Sequence, residues 1–166
     1  ARGANILGEI IGFGSSGDAY HITAPAEEGE GAQRAIKMAL NDAKINATDI
    51  GYINAHGTST KLNDKNESFA IKSTLGDHAY NINISSTKSM TGHLLGAAGA
   101  IELIATVDAM NNDYIPPTIN YHSKDDDCDL NYTPNTTIDA SFDVAMSNSF
   151  GFGGHNAVIV VKKFAG

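Results

Sequence analysis

Side chains able to bind and activate a small ligand are concentrated in three short runs of this sequence. The runs are Asn-Ala-His-Gly-Thr-Ser-Thr at residues 54–60, Ser-Ser-Thr-Lys-Ser-Met-Thr-Gly-His at residues 85–93 and Asn-Ser-Phe-Gly-Phe-Gly-Gly at residues 148–154. Each run comes at the end of a stretch with the pattern of a β-strand. Because ligands in open α/β sheets bind beyond the carboxyl ends of the strands, we predict that the three runs meet in one crevice.

The first two runs each contain a histidine. His56 precedes a glycine and three hydroxyl-bearing residues, which favours a side chain held at a ligand pocket over one bonded only to backbone. His93 falls in the first turn of a helix predicted over residues 91–110, with Thr91 as its N-cap. The positive end of a helix disfavours imidazolium, so we expect a neutral His93 that donates its N–H to a carbonyl or enolate oxygen. The alternative is that His93 only caps its own helix.

A lysine and three carboxylates could form a charged network behind these histidines. Lys88 lies in the loop that enters the helix of His93, and Glu102 lies further along that helix among apolar residues. A buried charge needs a partner, so we predict a Lys88–Glu102 pair that Asp64 or Glu67 joins. A purely structural role for this network and a catalytic role are equally compatible with the sequence.

The third run alternates phenylalanine and glycine over residues 150–154. Glycine accepts positive φ and exposes backbone N–H groups, which suits an oxyanion hole, although a plain hairpin turn is a serious alternative. The sequence contains no Walker motif, dinucleotide fingerprint or paired-cysteine metal site, so neither a bound cofactor nor a metal is predicted. Cys128 stands among four aspartates whose charges raise a thiol pKa, which makes it a poor nucleophile.

The elements that must position these runs alternate between strand-like and helix-like patterns. Strands are predicted over residues 6–13, 50–55, 82–85, 144–149 and 156–161. Helices are predicted over residues 32–43, 64–75 and 91–110, the second beginning with a capping box of Asp64 and Glu67 and the third buried on most faces. This alternation is typical of the α/β class, and the last two strands are expected to form an antiparallel hairpin. We predict a single domain over residues 1–166.

Charge and composition argue against several classes of partner. The 166 residues include 19 acidic and 11 basic side chains, and this net charge of −8 disfavours binding to nucleic acid or to an anionic membrane. No apolar run reaches the roughly 18 residues that a membrane-spanning helix needs. A single cysteine fits a reducing compartment, so a cytoplasmic location is expected. The start at Ala1, without a leader pattern, indicates a chain cut from a longer protein.

At the three runs the sequence resembles the condensing enzymes with the thiolase fold, and the resemblance extends from residue 14 to residue 163. The dissociated, type II β-ketoacyl-[acyl carrier protein] synthases, synthase II among them, carry His-Gly-Thr-Ser-Thr and Lys-Ser-Met-Thr-Gly-His, as this sequence does. Modular polyketide synthases usually have His-Gly-Thr-Gly-Thr and Lys-Ser-Asn-Ile-Gly-His instead. The resemblance implies the carboxyl-terminal half of such an enzyme, with helices packed on a mixed β-sheet.

The resemblance also implies a role for each site residue. His56 and His93 would bind the malonyl thioester carbonyl and stabilise the enolate as carbon dioxide leaves. Lys88 would order the two histidines through a network with the three carboxylates named above. Phe152 would gate the acyl pocket, and its N–H would contribute to the oxyanion hole. The substrate-binding residues would be Thr23, Thr58, Thr60 and Phe150.

The implied activity is decarboxylative Claisen condensation of malonyl carrier protein with an acyl-enzyme in fatty-acid elongation. The nucleophilic cysteine of the family belongs to an amino-terminal half, so this chain by itself is expected to be inactive. The implied partners are acyl carrier protein, that amino-terminal half and a second copy in a homodimer, with phosphopantetheine arriving on the carrier. Lys61 departs from the family, which often has proline there. A polyketide ketosynthase domain and a non-catalytic partner subunit of a heterodimer are the alternative functions.

Overall fold

A computed structural model describes residues 2–166, which form seven strands and four α-helices. The strands are β1 (Glu9–Gly17), β2 (Tyr52–Asn54), β3 (Asn83–Ser85), β4 (Tyr114–Ile115), β5 (Ile138–Asp139), β6 (Val144–Gly151) and β7 (His155–Lys162). The helices are α1 (Glu30–Ala43), α2 (Lys61–Leu75), α3 (Lys88–Thr91) and α4 (Ala98–Asn111). Within residues 2–166, no helix has the length and apolar character needed to cross a membrane.

Five of the strands form one mixed sheet in the order β1-β7-β6-β2-β3, and β4 pairs with β5 in a separate two-stranded sheet. The strands β1, β7 and β6 are antiparallel neighbours, so the predicted closing hairpin is present as β6–β7. The strand β2 runs parallel to both β3 and β6. Since the carboxyl ends of parallel strands lie at the same edge of a sheet, the three polar runs that follow β2, β3 and β6 are brought together there.

Two apolar clusters cover the two faces of the large sheet. One cluster joins residues of α1 and α2 to the sheet, and the other joins α4 to the opposite face. The helix α1 approaches β1 so closely that a Cβ on Gly14 would overlap the carbonyl oxygen of Ala35. Glycine in this strand is therefore required by the close approach of helix and sheet, although it lowers strand propensity.

Two predicted element boundaries are wrong. The first strand was placed at residues 6–13, but β1 begins only at Glu9, where its pairing with β7 begins. The helix α2 begins at Lys61, so Asp64 and Glu67 lie inside its first turns and do not form the predicted capping box at its start. Both carboxylates instead accept N–H groups from the loop that precedes the helix.

The helix predicted over residues 91–110 is interrupted. Gly92 has a φ of 74° and Leu95 a φ of 51°, and neither value belongs to a right-handed helix. The chain therefore leaves α3 at Thr91 and reaches α4 only through a 3-10 turn, Leu95–Ala97. The predicted burial on most faces is also wrong, because Ile101 is 38% exposed and Ile104 is 64% exposed.

Candidate active site

The three polar runs surround one cavity of about 1170 Å³ at the carboxyl-terminal edge of the parallel strands. The first run begins with the last residue of β2, and the second begins with the last residue of β3. The third run occupies the second half of β6 and the turn between β6 and β7. The predicted site residues that line the cavity are Thr23, His56, Thr58, Thr60, His93, Phe150 and Phe152. The structure thus brings the three runs into the single crevice expected from the sequence.

His56 and His93 lie side by side in this crevice. Their ring centroids are 5.4 Å apart, and their planes are 84° from parallel, so the edge of one ring faces the other. The ring of Phe150 lies 5.8 Å from that of His56 and forms an apolar wall beside it. His56 is buried, whereas His93 is exposed to the crevice. The two imidazoles are close enough for both to contact one small ligand.

His93 does not lie in a helix, contrary to the sequence prediction. It lies between α3 and a 3-10 turn, Leu95–Ala97, that leads into α4, so Thr91 is not the N-cap of a helix that contains His93. The ring is oriented instead by Leu95, whose backbone N–H donates to His93 Nδ1 at 3.1 Å. Because Nδ1 acts as an acceptor, the neutral ring carries its proton on Nε2, which can donate to a ligand.

The surroundings of His56 disfavour its protonated form. Burial, the charge of Lys88 and the neighbouring His93 together lower the pKa of His56 to about 3, with burial the largest cause. His56 is therefore neutral at physiological pH. Its own backbone N–H donates to Glu67 Oε1 at 2.9 Å, which fixes the main chain from which the ring projects.

Replacing His56 with glutamine should reduce the loss of stability on acidification. An unfolded histidine titrates near pH 6.5, whereas folded His56 has a pKa of about 3. Between these values the unfolded chain binds a proton that the folded chain does not, so the free energy of unfolding falls with falling pH by up to about 1.4 kcal/mol per pH unit. The variant lacks this contribution. Denaturant titrations at about pH 6 and about pH 5 should show a shallower dependence for the variant.

The control for this comparison is the same pair of proteins above about pH 7, where His56 is neutral in both states and contributes no slope. Equal slopes for His56→Gln and the unaltered chain across the acidic range would contradict a histidine kept neutral by burial.

The predicted Lys88–Glu102 pair is present behind the histidines. Lys88 Nζ donates to Glu102 Oε1, and both side chains are at least 95% buried. Burial raises the pKa of Glu102, and the contact with Lys88 opposes that rise. Such a pair, cut off from water, holds its geometry because neither charge has a solvent alternative.

The other two carboxylates do not join this pair, so that part of the predicted network is wrong. Glu67 accepts the backbone N–H groups of His56 at 2.9 Å and Gly57 at 2.8 Å, and the Nδ2 amide of Asn148 at 3.1 Å. Burial raises the pKa of Glu67, while these hydrogen bonds lower it. Asp64 accepts the N–H of Ser59 at 3.2 Å. Both carboxylates therefore hold the loop of the first run in place from α2.

Two buried asparagines were not identified as site residues from the sequence. Asn54 Nδ2 donates to the backbone oxygen of Glu102 and to Thr106 Oγ1, each at 3.2 Å, and so ties β2 to α4. Asn148 ties β6 to α2 through Glu67. Their signal in the sequence is an asparagine within the pattern of a strand, at the end of β2 and in the middle of β6. Among residues 2–166, no three His, Cys, Asp or Glu side chains are grouped so that they could hold a metal ion.

A second connection missed from the sequence holds the loop of Thr23 against the glycine turn. Asp18 Oδ1 accepts from Asn156 Nδ2 at 2.6 Å, and Gly153 N donates to the backbone oxygen of Ile22 at 2.7 Å. Thr23 and Phe152 therefore lie on two segments that are bonded to each other at the crevice. The side chain of Phe152 is 77% exposed, consistent with a residue at the mouth of the crevice.

Residues 7–122 match the family described as Beta-ketoacyl synthase, C-terminal domain. The match covers more than half of the chain, and the chain belongs to this family. It is 57% identical over 164 residues to a 3-oxoacyl-[acyl-carrier-protein] synthase 2 of Synechocystis sp., and 56% identical over 164 residues to one of Staphylococcus aureus. These matches cover 99% of this chain but only 39% and 40% of the two relatives.

Solved structures agree with this assignment. A type II polyketide ketosynthase, solved with its acyl carrier protein, superposes with a TM-score of 0.95 at 47% identity, covering 98% of this chain and 40% of that one. A β-ketoacyl synthase from Burkholderia phymatum superposes with a TM-score of 0.91 at 40% identity, covering 98% and 39%. The predicted thiolase-like α/β fold class is thereby confirmed.

Proposed function

We propose that this chain is the carboxyl-terminal domain of a 3-oxoacyl-[acyl carrier protein] synthase that condenses malonyl carrier protein with an acyl-enzyme in fatty-acid elongation. The observation that carries this proposal is the pair of imidazoles, His56 and His93, with ring centroids 5.4 Å apart in one crevice. Leu95 leaves Nε2 of His93 as the donor, and burial keeps His56 neutral. Imidazole N–H groups can stabilise a developing oxyanion by hydrogen bonds without transferring a proton to it.

In the proposed reaction, the thioester carbonyl oxygen of the malonyl group accepts hydrogen bonds from both histidines. The bond between the carboxylate and the α-carbon breaks, carbon dioxide leaves, and the electron pair forms an enolate whose oxygen stays bonded to the histidines. The enolate carbon then attacks the thioester carbonyl of the acyl-enzyme. A carbon–carbon bond forms, and the cysteine thiolate leaves.

The nucleophile for this reaction has to come from outside the described residues. Cys128 is the only cysteine of the chain, and it lies at a second cavity and not in the crevice of the histidines. Burial, with the charges of nearby aspartates, also raises the pKa of its thiol. We therefore propose an amino-terminal half that supplies the cysteine, and an inactive chain without it. Exposed apolar side chains around the crevice support such a covering half, among them Leu62, Leu95 and Phe152.

The threonines and the glycine turn would receive the rest of the substrate. Thr58 Oγ1 and Thr60 Oγ1 lie 2.9 Å apart at the crevice, where they can bond the amides of a pantetheine arm. Phe152 would gate the acyl pocket and offer its N–H to the oxyanion. The proposal includes acyl carrier protein as partner, a homodimer and a cytoplasmic location. The type II polyketide ketosynthase that superposes with a TM-score of 0.95 was solved with its own acyl carrier protein. That complex supports acyl carrier protein as a partner of this chain.

Two other functions share this fold. The similar structures include a type II polyketide ketosynthase. They also include a ketosynthase from Xenorhabdus doucetiae that was solved with its chain length factor. The Thr-Ser-Thr run at residues 58–60 and the Met-Thr pair at residues 90–91 favour the fatty-acid enzyme, as judged from the family sequences above. Retention of both histidines and Lys88 speaks against a partner subunit without activity.

The test is a hybrid enzyme, in which this chain is joined to the part of the Synechocystis relative that it does not match. The hybrid enzyme should release carbon dioxide from malonyl carrier protein and extend a saturated acyl carrier protein by two carbons. The unjoined chain is the control and should do neither. A hybrid enzyme that folds and is acylated but releases no carbon dioxide would support the partner subunit. Activity confined to β-ketoacyl primers would support the polyketide enzyme.

A further inference from the structure

The loop of the first run leads from the floor of the crevice to its mouth. His56 is buried, Thr58 is partly buried, and Thr60 and Lys61 are exposed. All four residues line the crevice. The six residues from His56 to Lys61 span at most roughly 18 Å. Positive φ values at Gly57 and Ser59 make the loop shorter than that limit, and the lysine side chain extends its reach. The loop therefore offers donors at successive depths along an extended ligand.

Lys61 is the only lysine or arginine that lines the crevice within residues 2–166. In the same described range its ammonium group takes part in none of the five ion pairs. Among the described residues, Asp18 is the acidic residue that lines the crevice, and its two oxygens accept from Asn156 Nδ2 and from the N–H of Ala26. Asp64, three residues after Lys61, accepts from the N–H of Ser59 and from Asn63 Nδ2. An unneutralised cation at the mouth of a pocket, in a chain of net charge −8, is a binding group for an anion.

The substrate of the proposed reaction carries an anion, a phosphate, at the end of its arm that would lie at the mouth of the crevice. In the proposed function, a thioester on a pantetheine arm would place its reacting carbonyl at the histidines and its two amides beside the threonines. The arm ends in a phosphate, and a lysine ammonium binds phosphate as a point charge.

We propose that Lys61 binds the phosphate of the phosphopantetheine arm and makes the crevice selective for phosphate-bearing thioesters. This inference rests on the proposed function, since it takes the arm to lie along the loop from His56 to Lys61. It assigns a role to the position at which this chain departs from the proline common in its family.

The test compares Lys61→Met with Lys61→Arg in the hybrid enzyme, using malonyl thioesters of 4′-phosphopantetheine and of pantetheine, which lacks the phosphate. Lys61→Met should raise KM for the phosphorylated thioester by about 1.5-fold to fivefold, the range for an exposed ion pair, and should leave kcat unchanged. KM for the pantetheine thioester should not change. Lys61→Arg keeps the positive charge and should therefore have the same KM for the phosphorylated thioester as the unaltered hybrid enzyme. Lys65→Met, one turn along the same helix and paired with Asp127, is the matched control and should change neither KM.

Three results would overturn the inference. An equal rise in KM for both thioesters would show a general disturbance of the loop, and no rise for either would show no contact. A rise only with carrier protein would show that Lys61 meets the surface of the carrier. The affinities of the hybrid enzyme for 4′-phosphopantetheine and for pantetheine are also measured by NMR titration, which requires no turnover. A hybrid enzyme that releases no carbon dioxide would count against the proposed function, while the titration would still decide the role of Lys61.

Discussion

Replacing His93 with alanine in the hybrid enzyme should lower the rate of malonyl decarboxylation by about 10²–10³-fold, the usual effect of losing one donor to an oxyanion. Acyl transfer to the cysteine should be affected much less. The reason is that His93 Nε2 is the donor that Leu95 N–H leaves available, and the oxyanion it would contact is the enolate of the second half-reaction. Acylation depends instead on the nucleophile and on the N–H groups of the glycine turn.

The two half-reactions can be measured separately, as transfer of a labelled acyl group and as release of carbon dioxide. His122→Ala is the control, because this exposed histidine lies outside the crevice and should leave both rates unchanged. Equal loss of both half-reactions in His93→Ala would show a structural or nucleophile-activating residue. Loss of acylation alone would assign His93 to acyl transfer and not to decarboxylation.

Replacing Lys88 with methionine should lower the free energy of unfolding by about 3–5 kcal/mol, because it leaves the buried carboxylate of Glu102 without its cation. The double variant Lys88→Met with Glu102→Leu should recover most of this loss, since apolar residues of similar size can replace a buried ion pair at little cost. Decarboxylation should stay low in the double variant. A pair that only stabilises the fold would instead return activity together with stability.

Urea unfolding of the hybrid enzyme and carbon dioxide release provide the two readouts. Lys65→Met, which breaks an exposed ion pair with Asp127, is the control and should change the free energy of unfolding by less than about 1 kcal/mol. Recovery of both readouts in the double variant would assign the pair a structural role alone. A stable Lys88→Met variant would contradict the burial of the pair.

Much of the fold follows from local patterns in the sequence. The apolar stretches ahead of the three runs form β2, β3 and β6, and the hairpin follows from two strands around a glycine-rich turn. The convergence of His56, His93 and Phe152 was also predictable, because side chains at the carboxyl ends of parallel strands meet wherever those strands are neighbours. These features depend on residues close together in the chain and on one general rule of sheet topology.

The partners of the charged and polar side chains were not predictable in this way. Glu67 was assigned to Lys88, but it binds the main chain at His56 and the amide of Asn148, which is 81 positions away. Asp18 and Asn156 are bonded across 138 positions. A carboxylate can accept from any donor that the fold brings within reach, so the sequence alone does not select among them.

The properties of the two histidines also divide into those that the sequence determined and those that the tertiary structure decided. The sequence by itself determined that two histidines and a glycine turn would share one crevice, because their runs are tied to strand ends. The sequence predicts that His93 belongs to a continuous helix, whereas Gly92 interrupts that helix and the N–H of Leu95 orients the ring. The low pKa of His56 likewise comes from burial and from Lys88. Burial and charge proximity exist only once distant segments have packed, which is why the tertiary structure alone decided them.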